Sequence, residues 1–213
     1  MAQTKIRKSE PGPEELGSDK RVAILNGALA QFAQYGYRRT SMEDIAQNAG
    51  IAKGTIYLYF KSKEELFAAL AQQLLDEVER LVKNAMAEDS APLDRLIGML
   101  EAKFFWFYAR ILSSPHAQEL VDEKSRVVAD LYLGFDAWFR AQAERLLIDA
   151  DKAGDIDLKK AGVTAPQAVE ALIAAGHGAE GGEMGQRAFE ARFGRIVRLV
   201  VAGLSAAPVS TGR

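Results

Sequence analysis

The chain has 213 residues, 48% of them apolar and 26% charged, enough for one large domain or a small one joined to a larger one, and too apolar for global disorder. It holds no cysteine, which excludes disulfides, thiolate metal sites and cysteine nucleophiles and fits a reducing, cytoplasmic setting. The net charge of −2 is unevenly spread: residues 1–63 carry ten Lys/Arg against six Asp/Glu, residues 64–213 seventeen against twenty-three, so a basic first part precedes an acidic body.

Taken in chain order, the elements read as helices throughout, with no alternating β-branched run to suggest a strand. Residues 1–17 are polar, with Pro11, Gly12 and Pro13, and are expected to form a disordered tail without an apolar signal region. Lys5, Arg7 and Lys8, with Lys20 and Arg21, suit either a flexible arm on a polyanion or a solvated tail. Ser18 is placed to cap a first helix whose apolar face is Val22, Leu25, Leu29 and Phe32, and Gly36 is a good stop.

Thr40-Ser-Met-Glu43 has the spacing of a capping box and opens a second short helix. A tight turn at Gly50, which can supply a left-handed conformation, leads into a third helix from about Lys53 to Phe60. Ile45, Ala46, Ala49, Ile51 and Ile56 then share an interior. Lys53, Gly54, Thr55, Tyr57 and Tyr59 remain outside as donors, bare backbone and aromatic hydroxyls, which suit a phosphate-lined groove. The pattern is a helix-turn-helix and points to double-stranded DNA as partner.

Ser62-Lys-Glu-Glu65 is a second capping box and opens a long helix bearing Leu66, Leu70, Leu74, Val78 and Leu81, the expected connector between head and body. After a break at residues 87–92, helices are expected over about 92–113, shortly after Pro115, over 125–151, over 166–178 and over 183–204, with residues 154–165 a loop and 206–213 a frayed tail. That makes about nine helices, with a DNA-binding domain over 18–63 and a body over 64–205. No run of about 18 apolar residues suggests a membrane span.

In the body, Phe104, Phe105, Trp106, Phe107 and Tyr108 are aromatic all round their helix. With Tyr132, Phe135, Trp138 and Phe139 they fit either the wall of an apolar effector cavity or a packed aromatic core. Arg110, Asp136, Arg140 and His177 are the polar candidates nearby, and His177 fits a structural role as well as a ligand contact. Small residues over 171–178 and Phe189, Phe193, Ile196, Val197, Leu199 and Val200 suit packing of the last two helices against a second copy or within the chain. Two histidines, no Glu-x-x-His pair and no Gly-rich phosphate loop give no recognisable catalytic set, metal site or cofactor motif.

Phe32, Gly36, Thr40, Ile45, Ala46, Ala49, Gly50, Lys53, Gly54, Tyr57, Phe60, Lys63, Leu66 and Phe67 together resemble the N-terminal domain of TetR-family transcriptional regulators. Tyr59 departs from the pattern, standing where many members have histidine, yet it keeps a donor for phosphate. The resemblance implies an all-helical homodimer on a palindromic operator, with a diverse body that binds a small effector and a usual role in repression. Carried onto matching positions, it implies DNA contacts from Thr40, Ser41, Lys53, Gly54, Thr55, Tyr57, Tyr59 and Lys63.

Overall fold

A computed structural model describes residues 13–180 and 185–205, and of residues 13–18 and 123–127 the backbone alone. Ten α-helices and one π-helical turn, with no strand, make up the described chain. They are α1 (Pro13–Tyr35), α2 (Met42–Asn48), α3 (Lys53–Tyr59), α4 (Lys63–Met86), α5 (Pro92–Phe107), the π turn (Tyr108–Leu112), α6 (Ala117–Val127), α7 (Ala129–Ala153), α8 (Leu158–Ala161), α9 (Ala165–Ala179) and α10 (Gln186–Ser205). None is long and apolar enough to cross a membrane. The chain divides into two compact units between Leu70 and Ala71.

In the first unit α1 packs on α2 and α2 on α3. The α1 face differs from the expected one: Ile24, Leu25, Ala28 and Phe32 are buried, while Val22 is 44% exposed and Leu29 only half-buried. The reason is Gly27, where an added Cβ would lie 3.3 Å from the Ala49 nitrogen, so that α2 approaches on the side carrying Ile24 and Ala28. The helix also begins at Pro13 rather than Ser18, five residues earlier, where proline costs no hydrogen bond. Residues 1–12, including the proposed arm Lys5, Arg7 and Lys8, and 206–213 lie outside the described residues. Gly36 ends the helix at φ 88°. Phe32, Tyr37 and Phe67 form an aromatic triangle with centroids 5.1 to 5.9 Å apart, which draws the start of α4 into this core. Hence the division falls after Leu70, itself buried.

The second unit is built on α5, α7, α9 and α10, each packed against at least two of the others, with α6 on α7 and α8 on α10. Three boundaries differ from expectation. The helix from Pro92 passes into the π turn after Phe107, the long helix begins at Ala129 after a separate α6, and α8 interrupts the expected loop over 154–165. A buried Leu158 and an Asp157 side chain accepting from the Lys160 N–H hold α8, too short a helix to leave a periodic signal. The core joins Phe104, Tyr108, Phe135, Phe139, Phe189 and Phe193 with Leu172, Ile173 and Val197.

Candidate nucleic-acid interface

The turn between α2 and α3 is a Schellman motif. Gly50 takes φ 68°, its N–H reaches the Gln47 carbonyl at 3.1 Å, and the Ile51 N–H reaches that of Ala46 at 3.0 Å. At the start of α2 the capping box sits one residue later than the sequence suggested. Ser41 Oγ accepts from the Asp44 N–H at 3.1 Å, and the Asp44 carboxylate accepts from the Ser41 N–H at 2.8 Å and hydroxyl at 2.6 Å. These hydrogen bonds, the hydroxyl's first, hold the Asp44 carboxyl below its usual range. Thr40 is displaced from the cap because its own hydroxyl donates to the Gly36 carbonyl at 2.8 Å, and the residue is only 3% exposed.

This frame fixes α3. Ile56 is fully buried between the helices, and Phe60 follows it into the core with the Arg21 guanidinium 5.3 Å from its ring centre. Lys53 and Gly54 are exposed, Thr55 and Tyr59 half-buried, and Tyr57 is 43% exposed. Leu58, absent from the expected face, is 83% exposed. A Cβ added at Gly54 would meet nothing within 4 Å, so the backbone there is open to an approaching surface.

Lys53 Nζ lies 2.6 Å from Glu43 Oε1, a partner on α2 that no local pattern announces. The hydrogen bond and charge of this exposed pair lower the Glu43 pKa and raise that of Lys53. Lys63 donates to the carbonyls of Tyr37 at 2.9 Å and Thr40 at 3.1 Å and sits 4.5 Å from the Tyr37 ring centre. It ties the α1–α2 turn to α4. At the second capping box the Ser62 hydroxyl accepts from the Glu65 N–H as expected, but the Glu65 carboxylate turns to the Lys61 N–H at 2.7 Å.

In the second unit Phe104, Tyr108, Phe135 and Phe139 are buried in the packed core, with Tyr108 stacked on Phe189 at 4.1 Å. Phe105, Trp106 and Trp138 pack partly buried against it, and Phe105 and Trp106 border an open groove of about 610 Å³ with Leu81, Ile97, Glu101 and Ala109. Burial raises the Glu101 pKa, opposed by Arg198. Tyr132, half-buried, has its hydroxyl pKa raised by burial and then by the Asp136 and Glu180 charges. His177 is exposed, 3.2 Å from the Glu180 carboxylate, with its ring 5.2 Å from that of Phe104. Lys103, which no sequence pattern singles out, is 6% exposed, 3.7 Å from Asp136 and 4.4 Å from the Phe139 ring centre. Asp136 also accepts from Arg140 Nε at 2.6 Å. Among the described residues no three His, Asp or Glu are placed to hold a metal ion.

Residues 24–70 match the family model described as bacterial regulatory proteins, tetR family. The chain is 30% identical over 139 residues to the HTH-type transcriptional repressor KstR2 of Mycobacterium tuberculosis, covering 64% of this chain and 67% of that protein. It is 43% identical over 74 residues to the HTH-type transcriptional regulator YhgD of Bacillus subtilis, a stretch that covers 35% of this chain and only 38% of that relative's length. A TetR/AcrR-family regulator from Thermobifida fusca shares the fold, with a TM-score of 0.67 at 23% identity over 87% of this chain and 98% of that one. The match over α1 to α4 covers the elements that frame the exposed face of α3, and the KstR2 likeness runs well beyond them: the chain belongs to the tetR family of bacterial regulatory proteins.

Proposed function

We propose that this chain is a transcriptional repressor that binds a palindromic operator as a homodimer and is released by a small, mainly apolar effector. The observation that carries the reading is the α2–turn–α3 unit, whose Schellman turn and capping box hold a short helix with Lys53, Gly54 and Tyr57 exposed and Thr55 half-buried. Thr40, Ser41, Tyr59 and Lys63 flank it, Thr40 with its hydroxyl turned inward, so a phosphate contact from that residue would use its backbone. For the dimer, Ala171, Ala174 and Gly178 of α9 and Leu199 of α10 are exposed in the single chain. For the effector, the groove bordered by Phe105 and Trp106 supplies an apolar wall; Phe104, Tyr108, Phe135 and Phe139 belong to the adjoining core, Trp138 packs on it, the His177 ring lies against Phe104, and Tyr132 is half-buried.

Selection of duplexes from a random-sequence library by the full chain tests this. The expected product is a palindrome whose half-sites lie about 34–36 Å apart or a multiple of that, bound by two chains. A library that enriches no sequence would overturn the reading. With the selected duplex in hand, Lys63→Ala should weaken binding to selected and scrambled sequences alike and reduce the slope of log affinity against log salt by about one. It should also cost about 1 kcal/mol of stability, since two turn carbonyls lose a charged donor. An effect confined to the selected duplex would contradict the phosphate role.

Effector release is checked by titrating the chain–duplex complex with a panel of apolar small molecules. Trp106→Ala should change the concentration needed for release several-fold while leaving binding of the duplex alone within a few-fold. An unchanged release profile for every active molecule would place the effector elsewhere.

A further inference from the structure

Leu58 is 83% exposed, the most exposed large apolar side chain among the described residues. A single exposed leucine is ordinarily without meaning, but this one has a particular setting. It lies on a seven-residue helix whose opposite side is anchored by the fully buried Ile56, so α3 does not need Leu58 in order to pack. Gly54 lies four residues earlier, one turn back on the same face, and is open to at least 4 Å around the position of a Cβ. Leu58 therefore stands beside a notch of bare backbone. The stretch that carries it, residues 51–61, has two exposed lysines, Lys53 and Lys61, and no carboxylate of its own; Lys53 is paired with Glu43 of α2, so Lys61 carries the excess positive charge.

A short helix with one apolar projection, a bare glycine a turn before it and lysines but no carboxylate along its own stretch is a poor match for an apolar protein partner and a good one for a major groove, where phosphates line the rim. The one apolar feature that a base edge offers there is the C5-methyl group of thymine. Resting on the DNA-binding reading above, we propose that Leu58 reads a thymine methyl in each half-site, with the bare backbone at Gly54 letting α3 come close enough for van der Waals contact.

The test uses the duplex selected by the full chain. Each thymine is replaced in turn by uracil, which removes the methyl group and leaves every hydrogen bond of the base pair in place. Affinities are read by fluorescence anisotropy for the unmodified chain, Leu58→Ala and Leu58→Met. At one thymine per half-site, uracil should weaken the unmodified chain about fourfold, the factor that corresponds to burying one methyl group, and substitution in both half-sites should multiply the losses. Leu58→Ala should bind the thymine duplex more weakly and be insensitive to uracil at that position, whereas Leu58→Met should keep part of the sensitivity. Because the side chain is exposed, both variants should keep the melting temperature of the unmodified chain, which separates a reading role from a folding one. A uracil scan that is flat for the unmodified chain, or equally steep in Leu58→Ala, would overturn this proposal and leave DNA binding standing. A library that enriches no sequence would overturn both.

Discussion

Replacing Gly176 with valine is expected to lower the melting temperature by roughly 10 °C, a loss of about 3 kcal/mol from overpacking in a chain of this size. Gly176 is buried on α9, and a Cβ placed there would lie 2.5 Å from Phe104 Cζ and 2.7 Å from Cε1. Such contacts require movement, and the ring has nowhere to go. It is 1% exposed, with Phe193 5.0 Å away and the His177 ring at 5.2 Å. Alanine at the same position should be milder, because the helix propensity it gains over glycine offsets up to about 1 kcal/mol. The cause can be isolated by pairing the change with Phe104→Ala, which alone should cost about 3–5 kcal/mol. If ring and added side chain compete for one volume, the double variant will lose much less than the two losses together. Thermal unfolding followed by circular dichroism decides it, and an unchanged melting temperature in Gly176→Val would show that α5 and α9 are not in contact at this point.

Substitution of Gly54 should separate folding from function in the opposite way. Nothing lies within 4 Å of an added Cβ and φ is not positive, so alanine or methionine fits without strain. Both favour helix over glycine, so stability should stay level or rise by up to about 1 kcal/mol. Affinity for the selected duplex should nevertheless fall by about tenfold for Gly54→Ala and about a hundredfold for Gly54→Met, since holding the helix away from the groove forfeits base contacts of about 1–3 kcal/mol each. The pair of measurements is melting temperature against duplex affinity. Equal affinity in Gly54→Met would show that the backbone of α3 does not approach the bases.

The α2–turn–α3 unit was legible in the sequence because its signals are local and chemically narrow. A glycine at φ 68° ends one helix, a Ser/Asp box starts it, and Ile45, Ala46 and Ile56 mark the interior at helical spacing. The box itself was misplaced by one residue because Thr40 and Ser41 are both competent caps; a tertiary hydrogen bond from Thr40 to Gly36 decides between them. The face of α1 is ambiguous in the sequence for a related reason. Val22, Leu25, Leu29 and Phe32 have as good a spacing as Ile24, Leu25, Ala28 and Phe32, and only the close approach at Gly27 separates them. The exposure of Leu58 is not legible, because an apolar residue inside a helix reads as interior unless the rest of the face is known. Lys53–Glu43, Lys63 over Tyr37 and Lys103–Asp136 join residues 10, 26 and 33 positions apart, and no periodicity announces such pairs. In the body, composition identified the aromatic residues but not which of them are core. Phe104 and Phe139 are fully enclosed while Phe105 and Trp106 reach a groove, a division set by where α10 lays Phe189 and Phe193.

Contact between the outer face of α3 and DNA underlies every functional role proposed for these residues. Hydroxyl-radical footprinting of the full chain, free and with the selected duplex, tests it directly, because Leu58 at 83% and Tyr57 at 43% exposure are both open to oxidation in the free chain. The expected result is strong protection of Tyr57 and Leu58 by the selected duplex and of neither by buffer salt alone, with the exposed Leu133 of α7 as an internal reference that stays reactive. Unaltered oxidation of Tyr57 and Leu58 in a chain shown to be saturated with duplex would contradict it.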